Sequence, residues 1–181
     1  MVIISCIRIG GVIIKASDLI GKTVINNKAV EVGKVAEISI VLKKCLLDRV
    51  VISTGSTLSK KYFEVTESEI SSIGDYMQVD LDDAEIEEKL TSDKMDNLIK
   101  PEFQYKKFLS KIVLSEDAME VGKIEDVMIE PEGCLINQLI VTAGPAFRKK
   151  RFMLSKDDLK HIGDYVILKL PSTKIGELEG K

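Results

Sequence analysis

The chain has 181 residues, 45% of them hydrophobic and 30% charged, with 5% aromatic and no tryptophan. Those proportions describe a globular protein and exclude a disordered or fibrous one. A net charge of −3 supplies no general attraction to phosphate, which argues against nucleic acid as the main partner.

In chain order, the first 14 residues are apolar apart from Ser5, Arg8 and a few near-neutral residues. Their β-branched runs Val2-Ile3-Ile4 and Val12-Ile13-Ile14, parted by Gly10-Gly11, predict strand. The stretch falls short of the roughly 20 residues a spanning helix needs. Residues 15–81 predict a small β-domain with strands over 22–25, 33–41, 47–53, 61–65 and 76–81. Within the second of these, Glu37 and Ser39 alternate with Ile38 and Ile40 and are expected on the opposite face. A helical turn is predicted over 66–73, opened by the capping-box pattern Thr66-Glu67-Ser68-Glu69, and Gly74-Asp75 then turns the chain into the last strand.

Residues 82–107 change character. Ile86 and Leu90, and Met95 and Ile99, lie four apart among charges, so 82–99 is predicted as one amphipathic helix of roughly 27 Å, ended by Pro101. Residues 108–171 then predict a second β-domain, and 172–181 a flexible tail.

The second domain repeats the first. A shift of 89 positions lays Val32-Gly33-Lys34 on Val121-Gly122-Lys123 without a gap. The same shift lays Lys60-Lys61-Tyr62-Phe63 on Lys149-Lys150-Arg151-Phe152, and Ile73-Gly74-Asp75-Tyr76 on Ile162-Gly163-Asp164-Tyr165. Agreement at one fixed offset marks an internal duplication.

The ordered series Leu109-Ser110-Lys111-Ile112-Val113, Glu120-Val121-Gly122-Lys123-Ile124-Glu125-Asp126-Val127, Gln138-Leu139-Ile140-Val141 and Ile162-Gly163-Asp164-Tyr165-Val166 resembles the PRC-barrel. The first copy carries the same series from Leu19-Ile20-Gly21-Lys22. The resemblance implies a mainly β fold of two small PRC-barrel-like barrels in tandem, joined by a charged helical linker. It also implies a protein-binding role without shared catalytic residues. Some archaeal members are accessory components of FtsZ-based cell division, associating with the SepF membrane anchor and with other PRC-barrel proteins, and the resemblance implies a role of that kind. Other members belong to a bacterial ribosome maturation factor. By analogy, a non-enzymatic scaffold or adaptor of an archaeal division apparatus is the first expectation, and a ribosome assembly factor the alternative.

The residues themselves offer little chemistry. One histidine, His161, and three scattered cysteines, Cys6, Cys45 and Cys134, do not form a ligand set, so no metal or cofactor is expected. A Cys134–His161 nucleophile pair has no counterpart in the first copy, and Cys45 and Cys134 read as small buried hydrophobes. The carboxylate pairs Glu125-Asp126 and Asp157-Asp158 read as solvated strand face and helix cap. No phosphate-cradling glycine motif occurs. The cysteine usage and the lack of a leader pattern predict a cytoplasmic protein, and the resemblance implies recruitment to the division site through a partner.

Two candidate protein-binding features remain. Arg148, Lys149, Lys150 and Arg151 form the densest basic cluster; they suit RNA phosphates, an anionic membrane surface or, first among these, an acidic protein partner, and equally a hairpin edge whose charges prevent aggregation. Val2, Ile3 and Ile4 lie outside both repeats, and either extend a sheet within the chain or pair with another subunit in a homodimer.

Overall fold

The protein is described here from a computed structural model, in which residues 13–41, 46–56, 59–109, 111–130, 135–144 and 149–178 are described. The first copy contains β1 (Ile14–Lys15), β2 (Thr23–Ile25), β3 (Glu31–Val41), β4 (Leu46–Ser56), β5 (Ser59–Thr66), β6 (Ile70–Ile73) and β7 (Met77–Val79). The linker holds α1 (Asp83–Lys89), α2 (Met95–Leu98) and α3 (Tyr105–Phe108). The second copy follows with β8 (Ile112–Leu114), β9 (Glu120–Glu130), β10 (Leu135–Ala143), β11 (Lys150–Ser155), β12 (Leu159–Ile162) and β13 (Val166–Leu168).

Each copy is a bent sheet of six strands in the order β6-β7-β2-β3-β4-β5, matched by β12-β13-β8-β9-β10-β11. The expected β fold in two tandem barrels is what forms. The matching extends to detail: β2 runs parallel to β7 through Val24 and Met77, and β8 parallel to β13 through Val113 and Val166. One expectation is corrected in both copies. The helical turn predicted over 66–73 is a 3-10 turn at Glu67–Glu69 only, and Ile70–Ile73 is a strand that pairs antiparallel with β7. The capping box itself forms, with Thr66 N donating to Glu69 Oε2 at 2.8 Å and Ser155 N to Asp158 Oδ2 at 2.7 Å.

Glycine in the Val-Gly-Lys motif has a steric cause. A Cβ on Gly33 would collide with the Ser53 carbonyl oxygen, and one on Gly122 with the Thr142 carbonyl oxygen. Gly33 also holds a φ of 152°, which L side chains rarely adopt. Beside these glycines the β3–β4 and β9–β10 ladders carry β-bulges, which curl the sheets. Lys22 Nζ donates to the Gly74 carbonyl at 2.7 Å, and Lys111 Nζ to the Gly163 carbonyl at 2.7 Å, so the repeated lysine ties the repeated Gly-Asp-Tyr turn in place.

The interior is equally repetitive. Val24, Val35, Ile38, Ile52, Phe63 and Val65 are buried in the first copy, and their equivalents Val113, Ile124, Val127, Val141, Phe152 and Leu154 in the second. Each such side chain contributes about 1.5–3 kcal/mol by leaving water.

The linker departs from the single helix predicted over 82–99. Helix α1 stops at Lys89, and Thr91 takes an extended conformation that bridges to Tyr62. A short isolated helix is marginal in water, so backbone pairing with a strand edge outcompetes its continuation. The segment from 172, expected as a flexible tail, forms 3-10 turns over Ser172–Leu178, with Ser172 N and Oγ donating to Asp117 at 2.8 and 2.6 Å.

Candidate protein-interaction surface

The copies meet by exchanging short segments. Strand β1, which leads into the first copy, pairs with β9 of the second through Ile14↔Ile129 and Lys15↔Met128. Gln104, which leads into the second copy, pairs with Ser39 on β3 of the first. These two contacts are equivalent under the shift of 89. Between them Leu46 pairs with its own counterpart Leu135, joining all thirteen strands into one hydrogen-bonded sheet. A residue facing its own equivalent lies on a local two-fold axis, so the duplicated chain carries inside itself the self-complementary contact usual in symmetric dimers.

The exchange buries groups that the alternation pattern placed on an outer face. Glu37 is 2% exposed and Asp126 6%, because α3 packs on β3 and the Ala16–Asp18 turn packs on β9. The reading of Glu125-Asp126 as solvated strand is therefore wrong for Asp126. Its carboxyl oxygens accept from Ser17 N at 3.2 Å, Ser17 Oγ at 2.5 Å, Tyr105 Oη at 2.8 Å and Val127 N at 2.8 Å. Burial, and then the bond to Asp126, push the Tyr105 phenol well above its ordinary pKa. Sequence reasoning had no signal for this site beyond the repeat itself: Glu37 and Asp126 are the acidic pair that the shift brings together.

The candidate binding residues are distributed differently. Val2, Ile3, Ile4 and Arg148 lie outside the described residues, as do Cys6, Cys45 and Cys134. Lys149, Lys150 and Arg151 lie together and exposed, Lys149 just before β11 and the other two at its start. Arg151 Nε donates to Glu125 Oε2 at 2.8 Å, and Nη2 pairs with Oε1 of the same carboxylate. That bidentate contact fixes the guanidinium against the neighbouring strands while leaving 65% of the side chain accessible. Lys149 borders an open groove of about 570 Å³ together with Lys123, Glu120, Glu125 and Thr142. His161 is exposed on β12, and Asp158 serves as the capping acid of Ser155.

Exposed apolar side chains also repeat. Tyr76 and Tyr165, at 56% and 50% exposure, top the two lysine-tied turns, and Val30 and Met119 top the two turns that precede β3 and β9. Among the described residues no helix is long and apolar enough to cross a membrane, and no cluster of three or more His, Cys, Asp or Glu side chains is placed to hold a metal ion.

The profile of the PRC-barrel domain matches the chain twice, over residues 11–86 and 100–175. Among curated proteins none matches it.

Proposed function

The chain belongs to the PRC-barrel family, whose domains are non-catalytic protein-interaction modules, and from that premise we propose that it is an adaptor that holds protein partners on the surface of a fused pair of barrels. The observation that carries the reading is the exposed basic start of β11 beside an open groove, on a chain whose matched length is taken up by two interaction modules. In its finer form the proposal makes the chain an accessory component of an FtsZ-based division apparatus, cytoplasmic and recruited through a SepF-type anchor or another PRC-barrel protein. Support for that form is the tandem arrangement of two PRC-barrel domains, in which the chain resembles archaeal members of the family. Self-association belongs to the same proposal, through the exposed apolar turns at Val30, Tyr76, Met119 and Tyr165.

Affinity capture with the full chain from its native cells, followed by binding measurements on the purified hits, tests this. Division proteins bound at a Kd on the order of micromolar support the finer form. Ribosomal proteins, or RNA bound tightly at physiological salt, would transfer the chain to ribosome assembly. Turnover of a small molecule would remove the adaptor reading altogether.

A further inference from the structure

Two versions of one domain in a single chain show which exposed residues were free to change. Lys28 and Asp80 are exposed, and the second barrel carries the opposite charge at both positions, in Asp117 and Lys169. Glu31, Lys34, Asp75 and Tyr76 are also exposed, yet they are kept as Glu120, Lys123, Asp164 and Tyr165. Among the described residues the side chains of Glu31, Lys34, Glu120 and Lys123 make no hydrogen bond or ion pair. Their retention is not a demand of packing.

The strand register puts these charges on one face. Thr23 pairs with Lys34, Val24 with Gly33 and, across the bulge, Ile25 with Glu31. Val24 is buried, so Thr23 and Ile25 turn outward, and Lys34 and Glu31 with them. Ile112, Val113 and Leu114 set Lys123, Gly122 and Glu120 in the same way around the buried Val113. Tyr76 precedes Met77, the parallel neighbour of Val24, and adds an exposed ring beside Thr23, while Val30 adds an exposed apolar residue next to Glu31. Tyr165 and Met119 occupy those places on the second barrel.

We propose that this face docks a second molecule of the same chain, like face on like face: Lys34 of each molecule meets Glu31 of the other, and Lys123 with Glu120 repeats the contact on the second barrel. This deepens the self-association within the adaptor reading and rests on that reading. The charges select the occupant. A two-fold contact is reciprocal, each residue i meeting j while j meets i, so a face that meets itself has to keep both signs. With Lys34 and Glu31 set on either side of Gly33, a two-fold axis across β3 at that glycine opposes base to acid twice. An acidic partner would use the lysines, among them Lys60 and its equivalent Lys149, and would leave Glu31 and Asp75 free to drift as Asp80 has done. Burial of the Tyr76 and Val30 side chains between molecules adds apolar area to the charge pairing.

Sedimentation velocity on the full chain tests this, with association of the unaltered protein expected at about 100 μM. Reversing one sign on both faces, by Lys34→Glu with Lys123→Glu, sets acid against acid and is expected to weaken association roughly tenfold or more. Either reversal alone is expected to have a smaller effect, similar for the two barrels. Adding Glu31→Lys and Glu120→Lys to the double reversal restores the pairs in exchanged order; association is expected to return, and the exchanged chain to stop mixing with the unaltered one. Should the reversed chain not fold, Tyr76→Ser with Tyr165→Ser decides, with a loss of roughly fivefold expected. A chain monomeric at about 100 μM would overturn the proposal, as would association indifferent to these variants or sensitive on one barrel alone. Loss on reversal without recovery on exchange would overturn it too and give the face to a different partner. Protein partners captured by a monomeric chain would leave the adaptor reading standing, and a chain that neither self-associates nor captures a partner loses both.

Discussion

The two barrels share a strand order, a buried set and the same glycines, yet the surroundings of equivalent residues differ. Asp126 gathers donors from Ser17, Tyr105 and Val127, while its counterpart Glu37 accepts the amide of Ile38 at 3.0 Å. The cause is what crosses over each strand: the Ala16–Asp18 turn brings Ser17 to the second copy, and the position equivalent to Ser17 is Lys106, whose Nζ reaches the Ala36 carbonyl at 2.9 Å. The difference teaches that a duplicated core is held to one solution by packing, whereas the surfaces by which the copies cover each other are free to diverge, provided every buried polar group keeps a partner.

The comparison breaks most sharply at Asp126. Asp126→Ala leaves the donors of Ser17, Tyr105 and Val127 without their acceptor inside the seam, and is expected to cost about 3 kcal/mol, with the copies loosening together. Urea unfolding checks this. A loss under 1 kcal/mol would mean that the seam contributes little to holding the barrels in place.

The two glycines test equivalence rather than difference. Gly33→Ala and Gly122→Ala each force a Cβ onto a strand carbonyl and are each expected to cost about 2 kcal/mol or more. Because Gly33 also has a positive φ, its variant is expected to be the worse of the pair. Thermal unfolding of the two variants side by side gives the ranking.

A pH series sharpens the contrast between Tyr105 and the residue at its equivalent position, Ala16, which does not titrate. The folded protein raises the Tyr105 pKa above the unfolded value of about 10. Its contribution is therefore whole below about pH 10 and is lost as the pH rises above it. Tyr105→Phe is expected to cost about 1 kcal/mol at pH 8 and to flatten the fall in urea midpoint above pH 10.

The smallest effect concerns a backbone feature kept in both copies. Ala29 and Ala118 each hold a φ of 61° in the turns before β3 and β9. Replacing either with glycine relieves the left-handed strain and is expected to stabilise by about 0.5–1 kcal/mol. Equal gains in the two variants would confirm that the turns are energetically equivalent.

Much of this was readable from one sequence. Fixed-offset identity gave the duplication, period-two alternation placed the long strands, and Thr66-Glu67-Ser68-Glu69 announced a capping box that forms. Local pattern failed at Ile70–Ile73 and at Thr91. Both segments are short, so neither the strand propensity of Ile70, Ile73 and Thr91 nor the helical pattern around them prevailed alone, and a neighbouring strand edge decided their conformation. The basic cluster was visible as charge. Its place on the outer strand of the second barrel, bidentate to Glu125 and beside an open groove, was not.

The sequence by itself determined the number of domains, their β character and the identity of each core, because those follow from hydrophobic period and from glycines that leave no room for a side chain. Only the tertiary structure decided which polar face is buried. Glu37 and Asp126 occupy outward positions of their own strands, and they became interior when each copy lent a segment to the other. Alternation reports the two faces of a strand, and what lies against the second face depends on contacts 70 residues apart at Lys106 and Ala36 and 109 apart at Ser17 and Asp126, which no local pattern encodes.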